Sequence, residues 1–173
     1  MEKVVLVDQH DQELGTMEKI ETHRKGLLHR AFSLFVFNSQ NELLIQKRAS
    51  HKYHSAGLWT NTCCSHPRKG EAITDAAKRR LVEEMGMTSD SEFLYKFIYK
   101  VDLEGEMVEH ELDHVLIGYT DATPNPNPEE VESYLYDSME NIQEKINSNP
   151  DEYTYWFKII METLPEKLEK IKK

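Results

Sequence analysis

The run Glu71-Ala72-Ile73-Thr74-Asp75-Ala76-Ala77-Lys78-Arg79-Arg80-Leu81-Val82-Glu83-Glu84-Met85-Gly86-Met87 governs how the rest of the chain is read. Ala72, Ala76, Leu81 and Met85 recur at near-helical spacing and so share an apolar face. Glu71 and Asp75 stand in its first turns, where carboxylates meet the positive end of the helix dipole, and Gly86 stands just past its end. The pattern predicts a helix over 71–85. On it Arg80 and Glu84 lie four residues apart on one face. The pair reads either as a surface ion pair or as a phosphate site, with Glu84 binding Mg²⁺ and Arg80 gripping the phosphate oxygens that the ion bridges.

Outward from this helix, residues 4–7 read as a first short strand, and 31–37 with 43–48 as a hairpin around the polar turn 38–41. Residues 93–101 and 108–119 read as two further strands joined through Gly105, and the Pro-rich tract 122–128 as a stiff loop. In the C-terminal third, Asp137 with Glu140 marks a helix start before Ile142 and Ile146, Pro150 interrupts, and 155–164 carries another apolar face. Strands, one central helix, more strands and then packing helices indicate an α+β or α/β sandwich.

The 173 residues, 39% of them hydrophobic, suffice for one core and are too few for two ordinary domains, so residues 1–173 form a single domain. A formal net charge of -10 argues against nucleic acid and anionic membrane as partners, and an anionic substrate would need a local cluster of cations. Asp8, Asp11, Glu13, Glu18 and His23 break up the first thirty residues, which have no signal-peptide-like apolar run, and no later stretch approaches a membrane span. A cytoplasmic protein is expected, acting as a monomer or weak homodimer. Cys63 and Cys64 are the two cysteines; adjacent residues rarely reach unstrained disulfide geometry, so at least one is expected to be a working thiol.

Within 107–114, Glu109, Glu111 and Asp113 alternate and therefore point the same way from a strand. They form either a solvated outer face or a cation site. His23, His29 and His66 are the candidates to complete such a site, although a histidine taken singly is more often a surface or hydrogen-bonded core residue. Their separations match no zinc-finger pattern. Three histidines with two glutamates could fill five positions of an octahedron, which suits Mn²⁺, Fe²⁺ or a non-structural Zn²⁺.

Glu71, Arg79, Leu81, Glu83, Glu84, Gly86 and Met87 resemble the Nudix box, G-x5-E-x7-R-E-U-x-E-E-x-G-U with U apolar. Ser65 stands at its first glycine and Arg80 replaces the glutamate of its R-E pair, which puts standard Nudix hydrolysis in doubt. Trp59-Thr60-Asn61-Thr62-Cys63-Cys64-Ser65-His66-Pro67 resembles the cysteine motif of the type I isopentenyl-diphosphate isomerases, a Nudix-fold family. Glu18-Lys19, His23, His29-Arg30-Ala31-Phe32-Ser33, Arg48-Ala49-Ser50, Glu109-His110-Glu111 and Trp156 extend that resemblance over nearly the whole chain.

The resemblance implies a mixed β-sheet sandwiched between helices, and isomerisation of isopentenyl to dimethylallyl diphosphate. His23, His29, His66, Glu109 and Glu111 would hold a divalent metal (Mn²⁺, or Zn²⁺ or Fe²⁺), with Glu84 and the Cys64 carbonyl helping hold a substrate-borne Mg²⁺. Lys19, Arg48, Lys52 and Arg80 would meet the diphosphate, Lys52 reading otherwise as a surface lysine. Glu111, relayed through Tyr99, would protonate C4, and Cys64 would handle the C2 proton. Trp156 would face the C3 carbocation, or else simply pack in the core. Two rivals are a Nudix hydrolase of a nucleoside diphosphate derivative, which would need the carboxylate Arg80 replaces, and a non-catalytic Nudix-like binding module.

Overall fold

β3, residues His29–Phe37, is the strand on which the site is registered; the computed structural model describes residues 1–172. On one flank β3 runs parallel to β8 (Met107–Tyr119), from His29 opposite Glu111 to Phe37 opposite Tyr119. Antiparallel to β3 lies β6 (Cys63–Ser65), with Ser33 opposite Cys64. β8 continues into a long antiparallel pair with β7 (Ser91–Leu103). The outer strands are β1 (Lys3–Val7), β2 (Glu13–Glu18), β4 (Leu43–Arg48), β5 (Trp59–Thr60) and β9 (Val131–Asp137).

Alternation along these strands divides the core into two layers. Phe32, Leu34 and Val36 of β3 pack under α2 (Ile73–Met85), against Ala76, Ala77, Leu81 and Met85. Phe35 and Phe37, with Val115 and Ile117 of β8, pack on the other face under α3 (Met139–Ser148) and α4 (Tyr155–Ile171), meeting Ile142, Phe157 and Ile160. Covered on both faces, β3 reads as an apolar run rather than an alternating one. The expected mixed sheet between helices is what forms.

Several local expectations change. Glu71 lies outside α2, whose N-cap is Ala72; its carboxylate is held by the Arg79 guanidinium at 2.7 and 2.9 Å and accepts the Arg68 amide, so it tethers the approach to the helix. Asp75 remains in the first turn. The hairpin of β3 and β4 is bridged at Phe37 and Leu43, because β3 bonds β8 and β6 while β4 bonds β9 and β5. α4 runs on from Leu164 through Pro165 to Ile171. Short elements escaped the pattern altogether: β2, α1 (Lys19–Lys25), β5, β6 and β9.

The Pro-rich tract seals the end of α2. Asn125 and Asn127 donate their amides to the carbonyls of Met85 (2.7 Å) and Glu84 (2.8 Å), satisfying acceptors that a helix terminus leaves open. Gly86 makes this possible: its φ is 60°, and a Cβ there would sit 2.1 Å from the Asn125 carbonyl oxygen.

Candidate active site

Strand alternation puts Glu109, Glu111 and Asp113 on the face that α4 covers further along, so the acidic run faces inward rather than into solvent. The β3–β8 register brings His29 beside Glu111. His66 follows the end of β6, and His23 projects from α1, which Glu18 starts by accepting the amides of Ile20 and Glu21. The outcome is one buried cluster of His23, His29, His66, Glu109 and Glu111, whose ligand atoms all lie within 4.8 Å of one another. His23 Nε2 is 3.0 Å from Glu109 Oε1, and His66 Nε2 is 3.0 Å from Glu111 Oε1.

Backbone carbonyls orient two of these rings. Nδ1 of His23 donates to Lys19 O at 2.7 Å and Nδ1 of His29 to Leu27 O at 2.9 Å, which turns each Nε2 toward the carboxylates. This is how proteins fix the tautomer of a metal-binding imidazole. His29 Nε2 and Glu109 Oε2 are buried without hydrogen-bond partners, a costly state that a cation would relieve. The residues therefore fit a divalent metal ion. Without it, both ring nitrogens of His23 face acceptors; burial works against its charge, but Glu109 outweighs burial and raises its pKa. Burial drives His66 the other way, well below the usual histidine range.

Above this cluster opens a cavity whose wall includes Cys64, Tyr99, Glu111 and Trp156 together with Lys19, Arg48, Lys52 and Arg80. All the non-metal site residues expected from the sequence thus meet in one place. The adjacent cysteines point to opposite faces of β6: Cys63 is buried against α2, whereas Cys64 faces the cavity, and both are free thiols. Burial pushes the Cys64 thiol up to about 12. Glu111 is also buried, yet its close neighbours Glu109, His29 and Tyr99 together overcome burial and bring its carboxyl down to about 2. Tyr99 donates its hydroxyl to Glu111 Oε2 at 2.8 Å. Asp113 does not join the cluster: burial holds its pKa well up, and Ser33 donates to it at 2.7 Å.

Arg48 donates to the carbonyls of Ser55 and His54, both at 3.2 Å, and lies 5.6 Å over the Trp156 ring. Trp156 belongs to the α4 core and also walls the cavity. Glu84, buried at the cavity edge, sits apart from the five-residue cluster; Arg80 (2.6 Å) and Gln46 (2.9 Å) donate to it. Lys52 is partly buried and paired with Glu130.

Sequence reasoning missed Gln46, Tyr53, His54 and Glu130, all of which line the cavity. His54 Nε2 comes within 3.5 Å of Glu109 Oε2, and burial brings its pKa down to about 3. A visible signal was the His51-Lys52-Tyr53-His54 segment, dense in polar rings and directly after Arg48.

A family model described as NUDIX domain matches residues 27–157. An isopentenyl-diphosphate delta-isomerase of Pectobacterium atrosepticum is 47% identical over 164 residues, covering 95% of this chain and 92% of that protein. One of Photorhabdus laumondii, named isopentenyl-diphosphate delta-isomerase 2, is 50% identical over 163 residues, covering 94% and 92%. The chain belongs to the isopentenyl-diphosphate delta-isomerase family. A solved structure of a Deinococcus radiodurans protein matches with a TM-score of 0.76 at 18% identity, covering 93% of this chain and 98% of that one. A MutT protein of Methanosarcina mazei matches at 0.67, also at 18% identity, over 84% and 96%. Those two likenesses establish the NUDIX fold. Within the isomerase family, the altered box has a local rationale: Arg80 turns a would-be carboxylate position into a cation on the cavity wall.

Proposed function

We propose that this chain is an isopentenyl-diphosphate delta-isomerase that interconverts isopentenyl and dimethylallyl diphosphate, with Cys64 and Glu111 moving the two protons. The observation that carries this is the convergence, on one cavity, of a thiol, a carboxylate–phenol pair, four cations and an indole. Moving the double bond adds a proton at C4 and removes one from C2, leaving a tertiary carbocation at C3 between the two events. An acid, a base and exclusion of water suffice for that.

Lys19, Arg48, Lys52 and Arg80 grip the diphosphate, and Glu84 with the Cys64 carbonyl holds the Mg²⁺ that accompanies it. His23, His29, His66, Glu109 and Glu111 hold Mn²⁺, Zn²⁺ or Fe²⁺, which when bound neutralises the two glutamates and fixes Glu111 in place. Glu111, beside the Tyr99 hydroxyl, delivers the C4 proton. Because its carboxyl is held down to about 2 in the metal-free protein, it takes that proton up as substrate binds, and the proton that Cys64 removes from C2 is returned through solvent after product leaves. Cys64 takes the C2 proton; burial keeps it a thiol in the free protein, and the Arg48 guanidinium favours the thiolate it needs as a base. Trp156 offers its ring face to the C3 cation, worth about 2 kcal/mol or more in a desolvated site.

The test is incubation of the metal-loaded protein with isopentenyl diphosphate and, separately, with a panel of nucleoside diphosphate derivatives. Dimethylallyl diphosphate without phosphate release is the expected product, abolished by chelator. Phosphate release from a nucleotide would support hydrolysis instead, and binding without turnover a non-catalytic module.

A further inference from the structure

Three of the four cations assigned to the diphosphate already hold a carboxylate. Lys19 pairs with Glu2 at 3.1 Å, Arg80 with Glu83 at 2.5 Å and Glu84 at 2.6 Å, and Lys52 with Glu130. Glu130 differs from the rest because both cations it spans are among these four, its second oxygen lying 3.6 Å from Arg80 Nη2. Its backbone is pinned one residue before β9: the amide donates to Asn127 O and the carbonyl accepts from Ala49 N, both at 3.0 Å. The side chain is therefore delivered to the cavity wall by rigid structure rather than by a mobile loop tip.

We propose that Glu130 is a placeholder carboxylate that makes diphosphate binding at this cavity conditional on a divalent cation. The inference rests on the diphosphate role given above to Lys52 and Arg80. A diphosphate arriving alone takes both partners of Glu130 and leaves a half-buried anion facing another anion, which opposes binding. One arriving with Mg²⁺ gives the released carboxylate a new partner within the cavity, so cation and diphosphate favour each other's binding reciprocally. Selectivity for a Mg²⁺-borne diphosphate then resides in what the free protein already holds in that place.

The experiment is calorimetric titration of the metal-loaded protein with inorganic pyrophosphate, with and without Mg²⁺, checking metal content afterwards. Glu130→Gln should bind pyrophosphate in Mg²⁺-free buffer about tenfold more tightly than the parent protein, and its enhancement by Mg²⁺ should shrink by at least about tenfold. Glu130→Asp keeps the charge and should retain the enhancement. Glu129→Gln, which removes the same charge from a neighbour that is 84% exposed, should behave like the parent. Weaker binding by Glu130→Gln in both buffers, which a mere positioning role for Lys52 and Arg80 predicts, would overturn the proposal. So would an unchanged enhancement, or a parent protein whose pyrophosphate binding ignores Mg²⁺. Because pyrophosphate undergoes no isomerisation, these outcomes are independent of whether the chain turns over isopentenyl diphosphate.

Discussion

At the scale of single residues, the Tyr99–Glu111 hydrogen bond is the sharpest geometric statement about proton transfer. Removing the hydroxyl in Tyr99→Phe leaves ring packing intact and should lower kcat about 10²-fold with little change in KM, within the usual range for a proton-transfer group. Steady-state kinetics checks this; a KM effect with unchanged kcat would make Tyr99 a packing residue. His23 links metal binding to pH. Its raised pKa in the metal-free protein means that the proton contributes stability below the unfolded value of about 6.5, and this is lost as pH rises through the folded value. A metal must displace that proton, so its affinity should fall about tenfold per pH unit below the folded pKa. Calorimetry in buffers of different ionisation heat should detect the released proton. Much of the candidate site was legible at this scale, because Glu109 and Glu111 alternate onto one strand face and the runs around Cys64, His66 and Glu109-His110-Glu111 resemble family motifs. Glu130, His54 and Gln46 were not, since a glutamate just past a Pro-rich tract or a histidine in a polar loop gains meaning only from the partners it meets in space.

Among the elements, α2 and the strands β1, β3, β4, β7 and β8 were readable because their apolar runs or periods stand out, whereas β2 and β9, six and seven residues long, bury few side chains and show no such run. β5 and β6 are only two and three residues long, and no periodicity exists at that length. Yet β6 positions Cys64, through its register against Ser33. α1 is seven residues, held by caps rather than by an apolar face, and so it was missed although it carries His23. The seam between α2 and the Pro-rich tract supplies a test. Gly86→Ala meets the Asn125 carbonyl in a left-handed conformation and should destabilise the fold by about 2–3 kcal/mol. Chemical denaturation would show this as a lower midpoint with an unchanged slope. A loss under about 0.5 kcal/mol, the range of ordinary surface changes, would mean the seam yields freely.

For the molecule as a whole, the parallel pairing of β3 with β8 could not be read from local pattern, because strands some eighty residues apart leave no mark on each other's periodicity. That pairing sets His29 against Glu111 and so builds the candidate metal-binding cluster onto the two central strands. The cluster should therefore contribute to global stability. With free metal about 1,000-fold above its dissociation constant, linkage adds about 4 kcal/mol, so chelation should lower the thermal midpoint by about 10 °C. Calorimetric scans with and without chelator measure it. In the proposed function, a chain with net charge -10 would hold an anion here through Lys19, Arg48, Lys52 and Arg80, which converge on the cavity beside that cluster. The most direct measurement of the central claim is NMR of isopentenyl diphosphate turnover in deuterium oxide, comparing the parent protein with Cys64→Ala and Glu111→Gln. The parent should place deuterium in the methyl group formed from C4, and each variant should turn over at least about 10²-fold more slowly; near-parental turnover by either variant would contradict the assignment of Cys64 and Glu111 as the acid–base pair.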